Sequence, residues 1–470
     1  MGLSDGFEAP GLDFVAGWQP SIRTLNQEDF YTAEDWLHQI SNARGNASWI
    51  SSDIFLNQQV AQQYTQTLDA SLNLEPIPDF RIDITMNRSF IENHTQFYKD
   101  TLNDGINDWI HAVPRNVGSL NLSYFALNTF FQDSKDEIIN LFKTFETNRL
   151  EVSRLLGQGI HADTIQALQG YTQGYGRVQQ DVLISSFMAA YRGKTIAEVG
   201  VQNDYVRGNL FQQMPLPNWR VSYNGLSKLP KFKELFQSIN ISHGYTSKLQ
   251  INTFNTDLDY LQTSGGLSPN TQDFYSQLEI PEVVIQEAFT PLLGVDIRTQ
   301  NNISFNLSFA KSRTLAMSFV SYQLAETQQQ DYTFGFGWRM QKVNIGFLQN
   351  MVGNNPKKKK ASEPEKPDNL LNKVSKGRGG ASAANVGDLD LKVDFSWRDN
   401  ITFNHILDQN IIEPTRGTRQ ISFSPSAQYQ LHQQLALRLF FDYNRTVPKV
   451  STSFPITNTA GGVVVRFSLN

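Results

Sequence analysis

The chain has 470 residues, of which 40% are hydrophobic, 12% aromatic and only 18% charged, with a formal net charge of −5 and no cysteine. The aromatic content and the scarcity of charge exclude intrinsic disorder for most of the chain, and no apolar run approaches the ~18 residues of a transmembrane helix, which excludes a helical membrane protein. The lack of cysteine excludes disulfide scaffolds, thiolate zinc sites and cysteine nucleophiles, and the acidic net charge leaves no basic footprint for nucleic acid.

The N-terminal segment, MGLSDGFEAPGLDF, has neither the basic region nor the apolar core of a signal peptide. Read alone, this segment predicts a cytosolic protein. The patterning of the rest of the chain predicts a membrane protein instead, so we expect that Met1 is not the natural start.

Residues 1–290 mix two kinds of pattern. The strand patterns lie at 62–75, 79–91, 117–126, 219–225 and 237–254. The helical patterns lie at 135–156 and 179–192. We expect this part to supply barrel strands with helical and loop insertions, which lie at a mouth or in a lumen. Each insertion is either a plug or docking element, or a loop that folds on itself.

Residues 291–470 alternate apolar and polar side chains with period two, which is typical of half-buried strands. In one example, Tyr332, Phe334, Phe336 and Trp338 alternate with small or polar residues. The pattern predicts about nine short strands, joined by five or six upstream, in an antiparallel meander. The nine lie at 303–309, 315–319, 332–338, 343–347, 389–397, 401–403, 421–431, 435–443 and 463–469.

The predicted links between these strands alternate in length. Short links fall near 311–314, 340–342, 398–400 and 432–434. The segment 300–302 is an exception, because it is a tight turn at a place where the alternation requires a long link. Long links fall near 323–331, 348–388, 406–419 and 445–458. Transmembrane barrels have short periplasmic turns and long outer loops. We therefore predict an all-β fold, an antiparallel transmembrane β-barrel in the outer membrane, with the C-terminus periplasmic.

Two further features accompany the strands. Trp338, Trp397 and Tyr443 end apolar faces, as aromatic rings do at a lipid–water boundary. The segment 350–386 contains Lys357–Lys360 followed by a Gly- and Ala-rich stretch. This composition cannot bury a core, so the segment is predicted to be a disordered basic loop.

The residues that could support catalysis are scattered. The histidines are His38, His94, His111, His161, His243, His405 and His432, and no two are three or four residues apart. The segment GYTQGYG at 170–176 resembles a phosphate-binding loop, but it does not lie in a βαβ unit and is predicted to be a turn. The sequence therefore predicts no catalytic, cofactor-binding or metal-binding residues, and a protein that is not an enzyme.

Several long strings carry a family resemblance. They are FVAGWQPSI (14–22), LNLEPIPDFRIDITMNRS (72–89), GYGRVQQDVLISSFMAAYRGK (174–194), PLPNWRVSYNGLSKLP (215–230), SINISHGYTSKLQINTF (238–254), the stretch 280–326, DLDLKVDFSWRDN (388–400) and the stretch 438–469. Together they resemble the C-terminal region of the SprA (Sov) family, the outer-membrane translocons of the type IX secretion system in Bacteroidetes.

The resemblance implies a wall segment of a very large single-chain barrel that exports folded cargo proteins and supports gliding motility. It also implies three partners besides outer-membrane lipid: a PorV-like shuttle protein, a plug protein and the secreted cargo. Members of that family are several times longer than this chain, so the chain is expected to be a fragment. Two alternatives stay open: a self-contained outer-membrane porin or small-solute transporter, and a soluble all-β surface-binding protein.

Overall fold

The computed structural model describes residues 58–100, 109–132, 135–158, 170–201, 210–343, 387–407, 409, 411–432, 435–450 and 453–467. The predicted loop at 350–386 and the string at 14–22 lie outside these residues.

The described chain forms one antiparallel sheet of thirteen strands. They are β1 (Val60–Ile77), β2 (Phe80–Asp100), β3 (Trp109–Ser123), β4 (Asn218–Tyr223), β5 (Phe236–Thr256), β6 (Leu278–Glu279), β7 (Glu282–Thr299), β8 (Ile303–Ser318), β9 (Gln323–Val343), β10 (Gly387–Ile406), β11 (Ile411–His432), β12 (Leu435–Pro448) and β13 (Ile456–Phe467). The order across the sheet is β1-β2-β3-β5-β7-β8-β9-β10-β11-β12-β13. Within the described residues, β1 pairs with β2 alone and β13 with β12 alone, so the sheet has two edges.

In the part of the chain that the structure describes, five helices accompany the sheet. They are α1 (Lys135–Gly157), α2 (Gln180–Arg192), α3 (Ile196–Val199), α4 (Pro230–Lys233) and α5 (Leu258–Thr263). The predicted helices at 135–156 and 179–192 are thus confirmed to within one residue as α1 and α2. Among the described residues, none of the helices combines the length and hydropathy needed to cross a bilayer.

β3 and β4 share one position in the sheet. β2 pairs with β3 from Arg88 onward and with β4 up to Thr85, so the two strands lie end to end between β2 and β5. Residues 124–217, which include α1, α2 and α3, leave the sheet between them; we call these residues the helical insertion. A side-chain hydrogen bond links β4 to β5 at the break, where the Asn218 side-chain oxygen accepts the Ser247 N–H at 2.7 Å.

The strands are longer and fewer than the sequence predicts. Within the described residues, six strands, β8 to β13, begin at or after residue 303, where about nine were expected. The predicted strand at 343–347 lies, except for residue 343, outside the described residues. The predicted short links at 311–314 and 398–400 lie inside β8 and β10, and the predicted long link at 323–331 lies inside β9. These polar runs look like turns locally, but their backbones pair with neighbouring strands throughout. The prediction of turns there is wrong.

The two ends of the sheet differ in their connections. At one end β1–β2, β7–β8 and β11–β12 are joined by two or three residues; we call it the short-turn end. The strand ends that flank the predicted long link near 348–388, Val343 and Gly387, also lie there and pair with each other. Long and short links therefore do not sort as the sequence predicts. The predicted domain boundary at 290/291 falls inside β7, so the sheet continues across it.

A glycine permits close packing where β3 lies between β2 and β5. A Cβ atom on Gly118 would overlap the Ile91 carbonyl oxygen and the Phe254 ring. We expect Gly118→Ala to lower the free energy of unfolding by about 1–3 kcal/mol, because neither the backbone nor the buried ring can move away cheaply. Gly335→Ala is the control, since its Cβ would meet nothing closer than 3.5 Å. Denaturant titration checks both variants, and equal loss from both would contradict the steric explanation.

Candidate functional site

The two faces of the sheet are chemically different, because alternate residues of each strand point to opposite sides. On one face, apolar side chains of successive strands lie opposite each other: Phe305 pairs with Phe336, and Phe336 with Val393. We call this surface the apolar band. Its more exposed members are Leu72, Leu74, Leu293, Phe305, Leu307, Phe334, Trp338, Phe395, Phe423, Leu439, Phe441, Val463, Val465 and Phe467.

The band has the height of a membrane span. On β10 it runs from Leu389 to Trp397, about 27 Å along the strand. Strands tilted by ~40° would then cover about 20 Å of a bilayer, close to the apolar zone of outer-membrane barrels. At one border the rings of Phe309, Tyr332 and Trp397 contact each other, with centroids 4.4 and 5.1 Å apart. The predicted aromatic border at Trp397 is thus part of a ring row.

The opposite face is polar. It carries exposed ion pairs such as Arg398–Asp331, with 2.6 Å between Nε and Oδ1, and Arg339–Asp388, with 3.0 Å between Nη2 and Oδ2. A cavity of about 530 Å³ opens on this side, and its lining includes Asn306 and Asp394. The chain therefore has the fold of an outer-membrane barrel wall, with one apolar face and one polar, solvent-exposed face, as the sequence predicts.

The helical insertion covers the far end of the face that carries the apolar band. Phe142 of α1 lies 4.7 Å from the His405 ring of β10, measured between ring centroids. Phe145 and Phe187 join one buried cluster with Leu315 of β8 and Leu324 of β9. The helices were expected at a mouth or in a lumen. They lie at one end of the strands, on the face that carries the apolar band.

A buried ion pair joins the insertion to the sheet. Arg313 of β8 and Glu287 of β7 are 1% and 2% exposed, and the Arg313 Nε donates to the Glu287 carboxylate at 3.2 Å. The Tyr245 hydroxyl donates to the other carboxylate oxygen at 2.7 Å. The guanidinium also donates to the Thr129 carbonyl of the insertion at 2.7 Å. Tyr245 lies on β5, so three strands, β5, β7 and β8, contribute to the charged cluster that binds the insertion.

This cluster was not predicted from the sequence. Lys311 and Arg313 have the same parity as the apolar residues of β8 but lie in a segment predicted to be a turn. The sequence signal that could have revealed the cluster is the parity of these two cations. A charge on the apolar side of a long strand needs a buried partner. Lys311 lies under the rings of Phe130 and Phe131, 5.1 and 4.7 Å from their centroids.

A second buried acid lies at the start of α2. Asp181 accepts hydrogen bonds from Gln179 at 2.9 Å and Ser276 at 3.3 Å. Burial raises the pKa of its carboxyl from 3.8 to about 7, against the lowering effect of the two hydrogen bonds. The folded state therefore binds the proton more tightly than the unfolded chain, and ionisation costs stability.

This raised pKa predicts a pH dependence. We expect the free energy of unfolding to fall by up to about 4 kcal/mol as the pH rises from about 4 to about 7, because the unfolded carboxyl ionises first. Asp181→Asn removes the titration, so the difference between wild type and variant isolates it. Denaturant titration at pH 4, 5.5 and 7 measures this difference, and a difference that does not change with pH would contradict the prediction.

The histidines that the structure describes lie on five different strands. His94 is on β2, His111 on β3, His243 on β5, His405 on β10 and His432 on β11. In the described part of the chain, no group of three or more His, Asp or Glu residues could hold a metal ion. The segment 170–176 is a turn region that precedes α2, where the Gly176 N–H donates to the Asp273 side chain at 2.7 Å.

Comparisons with known proteins give little further information. No family model matches the chain, and no curated protein matches it. Among solved structures, it is similar to OmpT, an outer membrane protein of Vibrio cholerae folded in vitro and in its trimer form. That alignment has 6% identity and a TM-score of 0.17, and it covers 87% of this chain and 99% of the other.

Proposed function

We propose that the chain is part of the wall of a protein-conducting channel in the outer membrane, of the type IX secretion kind. The observation that carries the membrane part is the apolar band, which crosses the sheet from β1 to β13 on a single face. The resemblance of the long strings to SprA-like translocons supports protein export as the task. The two edges that the sheet has within the described residues favour a wall segment over a closed porin.

In this proposal the polar face borders the transport path. Both signs of charge occur on it, and some of the charges are paired, as in Arg398–Asp331, which weakens their attraction to a passing polypeptide. The chain then acts through shape and hydration rather than through chemistry. A PorV-like shuttle, a plug protein and folded cargo are the proposed partners. The short-turn end, where β13 ends, is the proposed periplasmic end, because periplasmic turns of such barrels are short.

The test is deletion of the gene, followed by quantification of proteins in the culture medium and in the periplasm. We expect proteins normally found in the medium to accumulate inside the cell, and a plasmid copy of the gene to restore their export. Unchanged export with impaired uptake of small solutes would contradict the proposal and favour the porin alternative. Recovery of the protein from the soluble fraction would contradict a membrane wall of either kind.

A further inference from the structure

The link between β4 and β5, residues 224–235, exposes several apolar side chains at the surface. Its sequence is NGLSKLPKFKEL, and it contains a short 3-10 helix and α4, with Pro230 in the first turn of α4. Leu229, Phe232 and Leu235 are 44%, 39% and 61% exposed. We call residues 224–235 the rim link.

The rim link is held along the short-turn end of the sheet. Lys228 Nζ lies 2.7 Å from Asp79 in the turn between β1 and β2. On its other side, the Gln300 backbone N–H donates to the Leu235 carbonyl at 3.0 Å, and the Gln300 side chain donates to the Lys233 carbonyl at 3.3 Å. The link therefore bridges two turns and has a fixed position.

The link continues the apolar band. The Phe232 ring lies 6.0 Å from the ring of Phe236, measured between centroids, and Phe236 opens β5. Further along β5, Ile239 pairs with Ile297 of β7, and both belong to the face of the band. The exposed side chains of the link therefore lie at the border of the band, at the depth where an embedded sheet meets headgroups.

Two cations lie among these apolar side chains. Lys231 and Lys233 are exposed, and within the described residues neither forms an ion pair. Lys228 is neutralised by Asp79, and Glu234 is the one acid of the link. Long lysine side chains beside apolar groups can place their stems in the apolar zone and their ammonium groups at headgroup level.

We infer that the rim link binds the headgroups of anionic phospholipids in the leaflet at the short-turn end. Charge complementarity points to this ligand, because two unpaired ammonium groups lie next to three exposed apolar side chains that face an acyl region. Zwitterionic headgroups would give the same apolar contacts without net attraction. The inference rests on the proposed membrane location and adds a lipid preference to it.

The test uses the full chain reconstituted in phosphatidylcholine bilayers with trace spin-labelled lipids. Electron paramagnetic resonance measures how much labelled phosphatidylglycerol and how much labelled phosphatidylcholine is immobilised at the protein. We expect the wild type to favour phosphatidylglycerol, and Lys231→Gln with Lys233→Gln to lower that preference severalfold, since each lysine near an anionic surface contributes about fivefold. Raising the salt concentration should have the same effect.

The matched control removes two exposed lysines from the helical insertion, Lys143→Gln with Lys194→Gln, and changes the net charge equally. Its preference should stay at the wild-type value. An equal preference in both double variants would overturn the inference while leaving the membrane location intact. If neither labelled lipid is immobilised by any variant, the chain does not enter the bilayer, and both the inference and the proposed function fail.

Discussion

Phe441→Arg is expected to lower the stability of the chain in a bilayer by about 2–4 kcal/mol, the cost of a cation on the lipid side of an outer-membrane barrel. Phe441 lies on β12 within the apolar band and is 42% exposed. In the proposed orientation its ring contacts acyl chains, which cannot solvate a guanidinium. Guanidinium chloride titration of the chain folded into phospholipid vesicles measures the loss.

The adjacent residue gives the matched control. Phe440 has the same side chain, points to the polar face, and, like Phe441, lies opposite a glycine of β13. We expect Phe440→Arg to cost about 1 kcal/mol, the loss of a half-buried ring with the new charge in water. Equal losses of unfolding free energy at the two positions would mean that both faces are in contact with the same solvent. The band would then not be a membrane surface.

Arg313→Met is expected to cost about 3–5 kcal/mol, because it leaves the Glu287 carboxylate buried without its cation. The thioether chain fills much of the same space, so the loss reports charge rather than a cavity. The exposed pair Arg398–Asp331 is the control, and Arg398→Met should cost well under 1 kcal/mol. Equilibrium unfolding monitored by far- and near-UV circular dichroism checks both variants.

A double variant separates charge from packing at this cluster. Arg313→Met combined with Glu287→Leu removes both charges, so it should be more stable than Arg313→Met alone, although the Tyr245 hydroxyl loses its acceptor. If the double variant loses as much as the sum of the two single variants, the buried pair does not act as a unit. The explanation of the cluster would then be wrong.

The features that depend on local pattern could be predicted from the sequence. The alternation around Phe334 and Phe395 identifies the two faces, because period two alone decides which side chains share a surface. The helical pattern at 179–192 likewise predicts α2, which in the structure ends at Gly193 in a left-handed conformation with φ of 63°. These signals act over a few residues and need no knowledge of the fold.

The lengths of the strands could not be predicted in the same way. Lys311 and Arg313 make residues 311–314 look like a turn, and only residues 126–131, about 180 positions earlier, show why β8 continues there. The Arg313–Glu287 pair likewise depends on the register between β7 and β8. Partners so far apart in sequence leave no local pattern in a single chain.

The break between β3 and β4 makes the helical insertion separable from the sheet in geometric terms. Ser123 and Asn218 lie almost end to end beside β2, and the Leu216 N–H donates to the Ser123 carbonyl at 2.9 Å. About one residue would suffice to join the two segments into a strand as long as β2 or β9, which have 21 residues each. The helical insertion therefore interrupts an otherwise continuous strand, and joining the two segments directly would leave the order of all neighbouring strands unchanged.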